Sequence, residues 1–188
     1  MNLDAPKLTA ILTRHNGHTT VPEVAVETGT FRGERALLFA EHFAEVHTIE
    51  LSPTLFAKAD ARLAPYPHVL RHLGDSRALV PALATALAQP VLWYLDAHWF
   101  TLNRKRSRAG AARDAEAQIA NTPLPLWDEL EALAARTWAD IVVVDDVRDF
   151  GRTEPTEEWR DVSLERIAAY FPGAVEAAVL ADQAVVWR

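Results

Sequence analysis

At 188 residues, 49% hydrophobic and 24% charged, the chain has the length and make-up of one globular domain with an adequate core. A net charge of −7 argues against nucleic-acid and anionic-membrane partners. The absence of cysteine excludes disulfides, thiolate-zinc sites and cysteine nucleophiles. The first residues carry no signal-peptide core, and no apolar run is long enough to span a bilayer, so a cytoplasmic location is the default expectation.

Residues 1–22 read as a short helix, Lys7 to Arg14, and a His/Gly/Thr loop. His15 and His18 fall in that loop, where a solvated role outweighs metal binding. The apolar run Val24–Thr28 predicts a buried strand, followed by Gly29 and Gly33 and then a helix over Glu34–Phe43. Glycines at this spacing let the backbone turn sharply and approach a ligand, and a strand, loop and helix in this order mark a nucleotide-like cofactor site. Further strands are expected at Val46–Leu51, His68–Leu73, Val91–Ala97, Ile141–Val147, Val175–Leu180 and Ala184–Trp187. The helices between them are expected at Thr54–Leu63, Ser76–Leu87 (capped by Ser76), Leu124–Arg136 and Leu164–Tyr170. Continuous apolar runs in the first, fourth and fifth strands suit central parallel strands covered on both faces. The last two strands are separated by only Ala181-Asp182-Gln183, which fits a tight antiparallel hairpin. The expected architecture is an α/β, Rossmann-like, doubly wound sheet of seven strands, parallel apart from that C-terminal hairpin.

Residues 99–123 form an insert holding Arg104, Lys105, Arg106, Arg108 and Arg113. It reads either as a solvated flap or as a lid that clamps an anionic substrate over the sheet's carboxyl edge.

The loop Glu27-x-Gly29-x-x-x-Gly33 is neither the Gly-x-Gly-x-x-Gly of nicotinamide sites nor a phosphate-binding P-loop. Glu50 ends the second strand, about 20 residues past the loop, where an acid can accept hydrogen bonds from both ribose hydroxyls. Asp75 ends the third strand, where it could receive an adenine amino group, and Ser76 follows it. Glu27 is placed for a cationic group. Taken singly, each of these is equally well a turn glycine, a helix cap or a solvated acid. Their coincidence at successive strand ends favours a cofactor site.

Glu27-Thr-Gly29-Thr-Phe-Arg-Gly33, Glu50 and Gly74-Asp75-Ser76, in this order, resemble the first three motifs of class I S-adenosylmethionine-dependent methyltransferases. Phe31 stands where the commonest pattern has its middle glycine. The resemblance implies S-adenosylmethionine as cofactor and one methyltransferase-like domain over the whole chain. Glu27 with the loop Gly29, Thr30, Phe31 and Gly33 would hold the methionine part, Glu50 and Leu51 would flank the ribose, and Asp75 and Ser76 would face the adenine, with Asp96 also bordering the cofactor.

Asp96 and His98 end the fourth strand, and Asp145-Asp146 end the fifth. Carboxylates converging on one rim call for a cation, and oxygen ligands suit Mg²⁺, Mn²⁺ or Ca²⁺. Asp96, Asp145 and Asp146 resemble the metal triad of macrocin- and novobiocin-type O-methyltransferases. The alternative is an ion-free acidic rim in which Asp145 or Asp146 pairs with Arg148 or a basic residue of the insert. Adjacent acids point to opposite faces of a strand, so one ion binds both only if the strand has ended at Asp145. The phrases around Leu95–Trp99, Thr122–Leu130 and Val144–Phe150 also resemble a group of bacterial methyltransferase-like proteins without a settled substrate. In-line transfer would need a positioned acceptor and a base, for which Asp96 and His98 are the candidates. Trp93, Tyr94, Trp99 and Phe100 read as packing before they read as an acceptor platform. The leading expectation is O-methylation of a small hydroxylated acceptor, sugar- or natural-product-like, by a chain with no nucleic-acid or membrane partner that could form a homodimer. A non-catalytic adenosyl-ligand-binding module and a nicotinamide-dependent oxidoreductase are the alternatives.

Overall fold

The structure, a computed structural model, describes residues 3–14, 21–98, 124–152 and 159–188. Seven strands make one sheet: β1 (Val24–Thr28), β2 (Glu45–Glu50), β3 (Val69–Leu73), β4 (Val91–Leu95), β5 (Ile141–Val144), β6 (Glu176–Leu180) and β7 (Gln183–Trp187). Their order is β3-β2-β1-β4-β5-β7-β6, with β1 to β5 parallel and β7 running antiparallel between β5 and β6. This is the expected doubly wound sheet with its C-terminal hairpin. The direction of winding reverses between β1 and β4, which opens a crevice beyond their carboxyl ends.

The helices are α1 (Ala5–Thr13), α2 (Glu34–Ala40), α3 (Pro53–Leu63), α4 (Ser76–Ala86), α5 (Leu126–Ala134) and α6 (Leu164–Ala168). Every residue of β1, β4 and β5 is buried, as their continuous apolar runs require. Strand alternation divides those side chains between two faces. Val24, Val26, Trp93, Leu95, Val142 and Val144 pack with Leu126, Leu130 and Leu133 of α5. Ala25, Leu92, Tyr94 and Val143 pack on the other face with Leu8 of α1, Phe39 of α2 and Leu63 of α3. Full burial of each large aliphatic side chain contributes about 1.5–3 kcal/mol. Among the described residues no helix is long and apolar enough to cross a membrane.

Several ends differ from expectation, each for a local reason. β4 stops at Leu95 and β5 at Val144, short of Ala97 and Val147. After Asp145 the chain enters a left-handed turn at Asp146 (φ 61°) and a 3₁₀ turn over Val147–Asp149. The rim acids are thereby freed from the alternation of the strand. Asp75, not Ser76, caps α4, its carboxylate accepting the Arg77 N–H at 3.0 Å. Ser76 is already helical and buried. α4 continues past Pro81 to Ala86. α1 begins at Ala5 because Asp4 caps it and Pro6 suits its first turn. Leu180 pairs with Gln183 across the Ala181-Asp182 turn, with Ala181 at φ 56°. The basic insert with Arg104 to Arg113, Trp99, Phe100, His15 and His18 lie outside the described residues.

Candidate functional site

The glycine loop is stitched to the neighbouring strand, since the Gly29 and Thr30 N–H groups both donate to the Ile49 carbonyl, at 2.9 and 3.1 Å. Gly29 has φ +82°, and a Cβ there would lie 2.4 Å from the Asp96 carbonyl oxygen. Only glycine allows β1's exit to press against β4's exit in this way. Phe31 adopts φ 50°, keeping the left-handed geometry that the more usual glycine supplies without strain. Its N–H donates to Glu50 Oε2 at 2.8 Å, while Ser52 N–H donates to Oε1 at 2.8 Å. Burial pushes the Glu50 carboxyl upward, and the N–H groups of Ser52, Phe31 and Leu51 oppose that shift. Leu51 beside it is partly exposed toward solvent.

Glu27 lies at the floor of the crevice, 1% exposed. The Thr48 hydroxyl donates to its Oε2 at 2.6 Å, and Thr30's hydroxyl is 2.6 Å from that of Thr48. With Thr48's proton committed to Glu27, Thr30 is the donor of the second bond. Burial pushes the Glu27 carboxyl up to about 8, against the pull of Arg35 and Thr48.

One cation links the rim acids. Arg35, in the first turn of α2, places Nη1 3.0 Å from Asp145 Oδ2, Nη2 3.4 Å from Asp96 Oδ2 and Nε 3.9 Å from Glu27 Oε1. Its guanidinium rests 4.0 Å above the Tyr94 ring. Asp145 also accepts from Gln183 Nε2 at 2.8 Å. His98 Nε2 lies 2.8 Å from Asp146 Oδ2 and 3.3 Å from Asp96 Oδ1. Lying between two carboxylate oxygens, that nitrogen carries a proton. Burial and the charge of Asp145 raise the Asp96 carboxyl, against His98 and Arg35. Asp146 is also burdened by burial, yet the hydrogen bond and charge of His98, with Arg148, hold it below the usual range.

The expected metal triad is divided. The described residues offer two groupings whose ligand atoms lie within 4.8 Å of one another, Asp96–His98–Asp146 and Asp145–Asp146–Asp182. Asp145 and Asp96 share Arg35, and Asp146 pairs with Arg148 at 2.5 Å. Arg35, from α2, and Arg148 thus meet part of the rim's charge, and the two groupings remain as candidate ion sites. Asp75 stands at β3's exit as expected, but Arg77 grips it with contacts of 2.6–3.0 Å and lowers its pKa.

Four participants escaped the sequence reading: Arg35, Thr48, Asp182 and Glu129. Glu129 on α5 is 1% exposed, hydrogen-bonded by the Ser76 and Thr28 hydroxyls, and pushed by burial up to about 7. The one available signal was its place between Leu126, Leu130 and Leu133 on the apolar stripe of its helix.

Sheet order, glycine loop and strand-end acids together define the class I S-adenosylmethionine-dependent methyltransferase fold, and solved structures share it. SMU.1697c, a putative methyltransferase from Streptococcus mutans solved with SAH, matches at TM-score 0.56 and 8% identity, over 100% of this chain and 98% of its own. An rRNA methylase from Streptococcus thermophilus matches at TM-score 0.54 and 12% identity, over 100% and 96%. The amino pentose methyltransferase CalS10 from Micromonospora echinaspora is 19% identical at TM-score 0.46, over 74% of this chain. The chain spans about half (49%) of that protein's length. No family model matches the chain, and no curated protein is significantly similar to it. The finer resemblance to the macrocin and novobiocin type has no specific counterpart among these structures.

The expectation of a small-molecule acceptor with nucleic acid excluded is corrected. The same fold, over the full length of this chain, is carried by an rRNA methylase. Net charge is a sum over the whole chain, and nucleic-acid contact depends on where the cations stand, so −7 excludes nothing.

Proposed function

We propose that the chain is an S-adenosylmethionine-dependent methyltransferase that methylates an acceptor hydroxyl. The observation that carries this reading is the meeting of Glu27, the Gly29–Gly33 loop and Glu50 at the exits of adjacent strands, joined by Thr48 and by the Phe31 N–H. These residues fit the cofactor. Gly29 lets the exits of β1 and β4 close on one another, which brings Asp96 to the crevice, and Glu27 is a buried acid whose nearest cation is 3.9 Å away. Glu27 and the loop would hold the methionine end, Glu50 and Leu51 the ribose, and Asp75 and Ser76 the adenine side.

The bound cofactor supplies an activated sulfonium methyl group, so the protein's tasks are alignment and proton removal. His98 is held by Asp146 beside Asp96, whose raised affinity for a proton makes Asp96 the group that receives the acceptor's proton. Arg35 and Arg148 offset part of the rim's negative charge, and a divalent ion held by Asp96, His98 and Asp146 would offset more and could help to orient the acceptor hydroxyl. The sugar-like acceptor is the finer form of this proposal, and it includes ribose hydroxyls within RNA.

Titration calorimetry with SAH and with NAD tests the reading. Heat with SAH alone is expected, and Glu50→Ala should weaken SAH by about tenfold or more, the loss of charge-assisted hydrogen bonds. Heat with NAD and none with SAH would overturn it. Methyl transfer from labelled cofactor onto hydroxylated small molecules and structured RNA, with and without EDTA, then reads the acceptor class and any ion dependence.

A further inference from the structure

Beyond the rim acids, the carboxyl ends of β4 and β5 border a second feature. A cleft opens between Leu95, Leu126, Val144 and Trp159, with Asp96 and His98 at one side and Glu129 in the wall. Its lining combines these apolar side chains with the carboxyls of Asp96, Asp145 and Glu129. Glu129 Oε1 is buried and has no hydrogen-bond partner among the described residues. An unmatched buried polar atom costs about 1–3 kcal/mol, and of the four such atoms among the described residues only Glu129 Oε1 belongs to a residue that lines this cleft. The rest of the carboxyl is held. Ser76 and Thr28 hydroxyls hydrogen-bond it, and Thr28 Oγ1 also accepts the Asp96 N–H at 3.2 Å. Thr28 therefore has its proton free to give to Glu129, and this bridge ties the acid's position to the backbone of the candidate base.

We propose that Glu129 is a specificity-determining residue of the acceptor cleft, its unpartnered oxygen taking a hydrogen bond from an O–H or N–H on an otherwise apolar part of the acceptor. This rests on the methyltransferase reading and names the chemistry that acceptor must present: a flat or apolar face bearing one donor. A phenolic ring and a nucleobase edge both satisfy it. Glu129 is pushed by burial up to about 7, with Asp75 and Asp128 as the charges that add to the shift. An acceptor oxygen remains on the carboxyl in either protonation state. An apolar acceptor lacking the donor would leave Oε1 unmatched, and discrimination against such analogues is strongest where a site is built around a polar group.

The test uses the SAH-saturated protein, methyl-labelled at Leu and Val, with phenol, uracil and benzene as probes. Phenol or uracil should shift the Leu95, Leu126 and Val144 methyl signals, with benzene binding about tenfold more weakly. Glu129→Leu should reverse that order, while Glu129→Gln, which keeps an acceptor oxygen, should retain phenol. Tighter phenol assigns the cleft to phenolic acceptors, and tighter uracil to nucleobases. Phenol and uracil bound equally by wild type and Glu129→Leu, or by neither, would overturn the proposal. Should Glu129→Leu not fold, the Glu129 carboxyl carbon signal in the wild type, identified by its loss in Glu129→Gln, decides the same question: it moves on addition of phenol or uracil, or the proposal fails. Absence of SAH binding by the wild type would instead overturn the methyltransferase reading. The probe titration still reads the cleft in that case.

Discussion

An ammonium-bearing ligand that docks at Glu27 should displace a proton, and the structure sets the size of the effect. Burial, opposed by Arg35 and Thr48, pushes this carboxyl from 4.5 up to about 8. At pH 7 about nine molecules in ten therefore hold it neutral. A cation beside it favours the carboxylate. SAH carries an α-ammonium at its homocysteine end, so its binding should release close to one proton per site. By linkage its affinity should strengthen about tenfold per pH unit from roughly pH 6 to 7.5 and level off above about 8. Titration calorimetry in buffers of different ionisation enthalpy counts the protons directly. Glu27→Gln should abolish the pH dependence and weaken binding by about 2 kcal/mol, the size of a charge-assisted hydrogen bond. Stability should run the other way. The folded protein binds the extra proton between 4.5 and about 8, so unfolding free energy falls as pH rises through that window. The fall is on the order of 5 kcal/mol at most, from about 1.4 kcal/mol per pKa unit, and the Gln variant should lack it. An SAH affinity indifferent to pH over this range, with no proton released, would refute the reasoning.

Four substitutions at three positions test the scaffold by urea denaturation. Gly29→Ala places a Cβ 2.4 Å from the Asp96 carbonyl at φ +82°, and should cost about 2–4 kcal/mol and impair SAH binding. Phe31 already bears left-handed strain at φ 50°, so Phe31→Val should lose a further 1 kcal/mol or so through its branched side chain. Phe31→Gly should stay within about 1 kcal/mol of wild type, as relieved strain offsets added chain freedom. Arg136→Ala strands buried Asp140 and the carbonyls of Ala84, Leu87 and Gln89, and should cost about 3–5 kcal/mol; a loss below about 1 kcal/mol would show that the pair is unimportant.

The central sheet was legible because burial on both faces leaves β1, β4 and β5 as unbroken apolar runs. The hairpin was legible because three residues between two strands leave no room for a crossover helix. Element ends were less so. Asp75 and Ser76 stand side by side and both suit a cap, and only the position of the Arg77 N–H decides between them. Glu27 and Glu50 reach their places because strand ends are fixed by the sheet. Arg35 gave no comparable signal, since its closest acid is 110 residues away in the chain. Glu129 sits among Asp128 and Glu131, and its place on the apolar stripe with Leu126, Leu130 and Leu133 was the one sign that it faces inward. Neighbouring acids at β5's exit read either as part of one metal set or as an ion-free rim, and the left-handed turn at Asp146, invisible in the sequence, gives them different partners.

The position of β7 has a consequence for biosynthesis. It is the last of the seven strands to be made, yet it is inserted between β5 and β6 rather than added at a margin. Until Gln183–Trp187 has left the ribosome, β5 exposes a row of unpaired amides beside its valines. Such a nascent chain is open to strand exchange with another copy. Shielding of β5 by a chaperone during that interval would serve the yield of folded protein more than any gain in native stability.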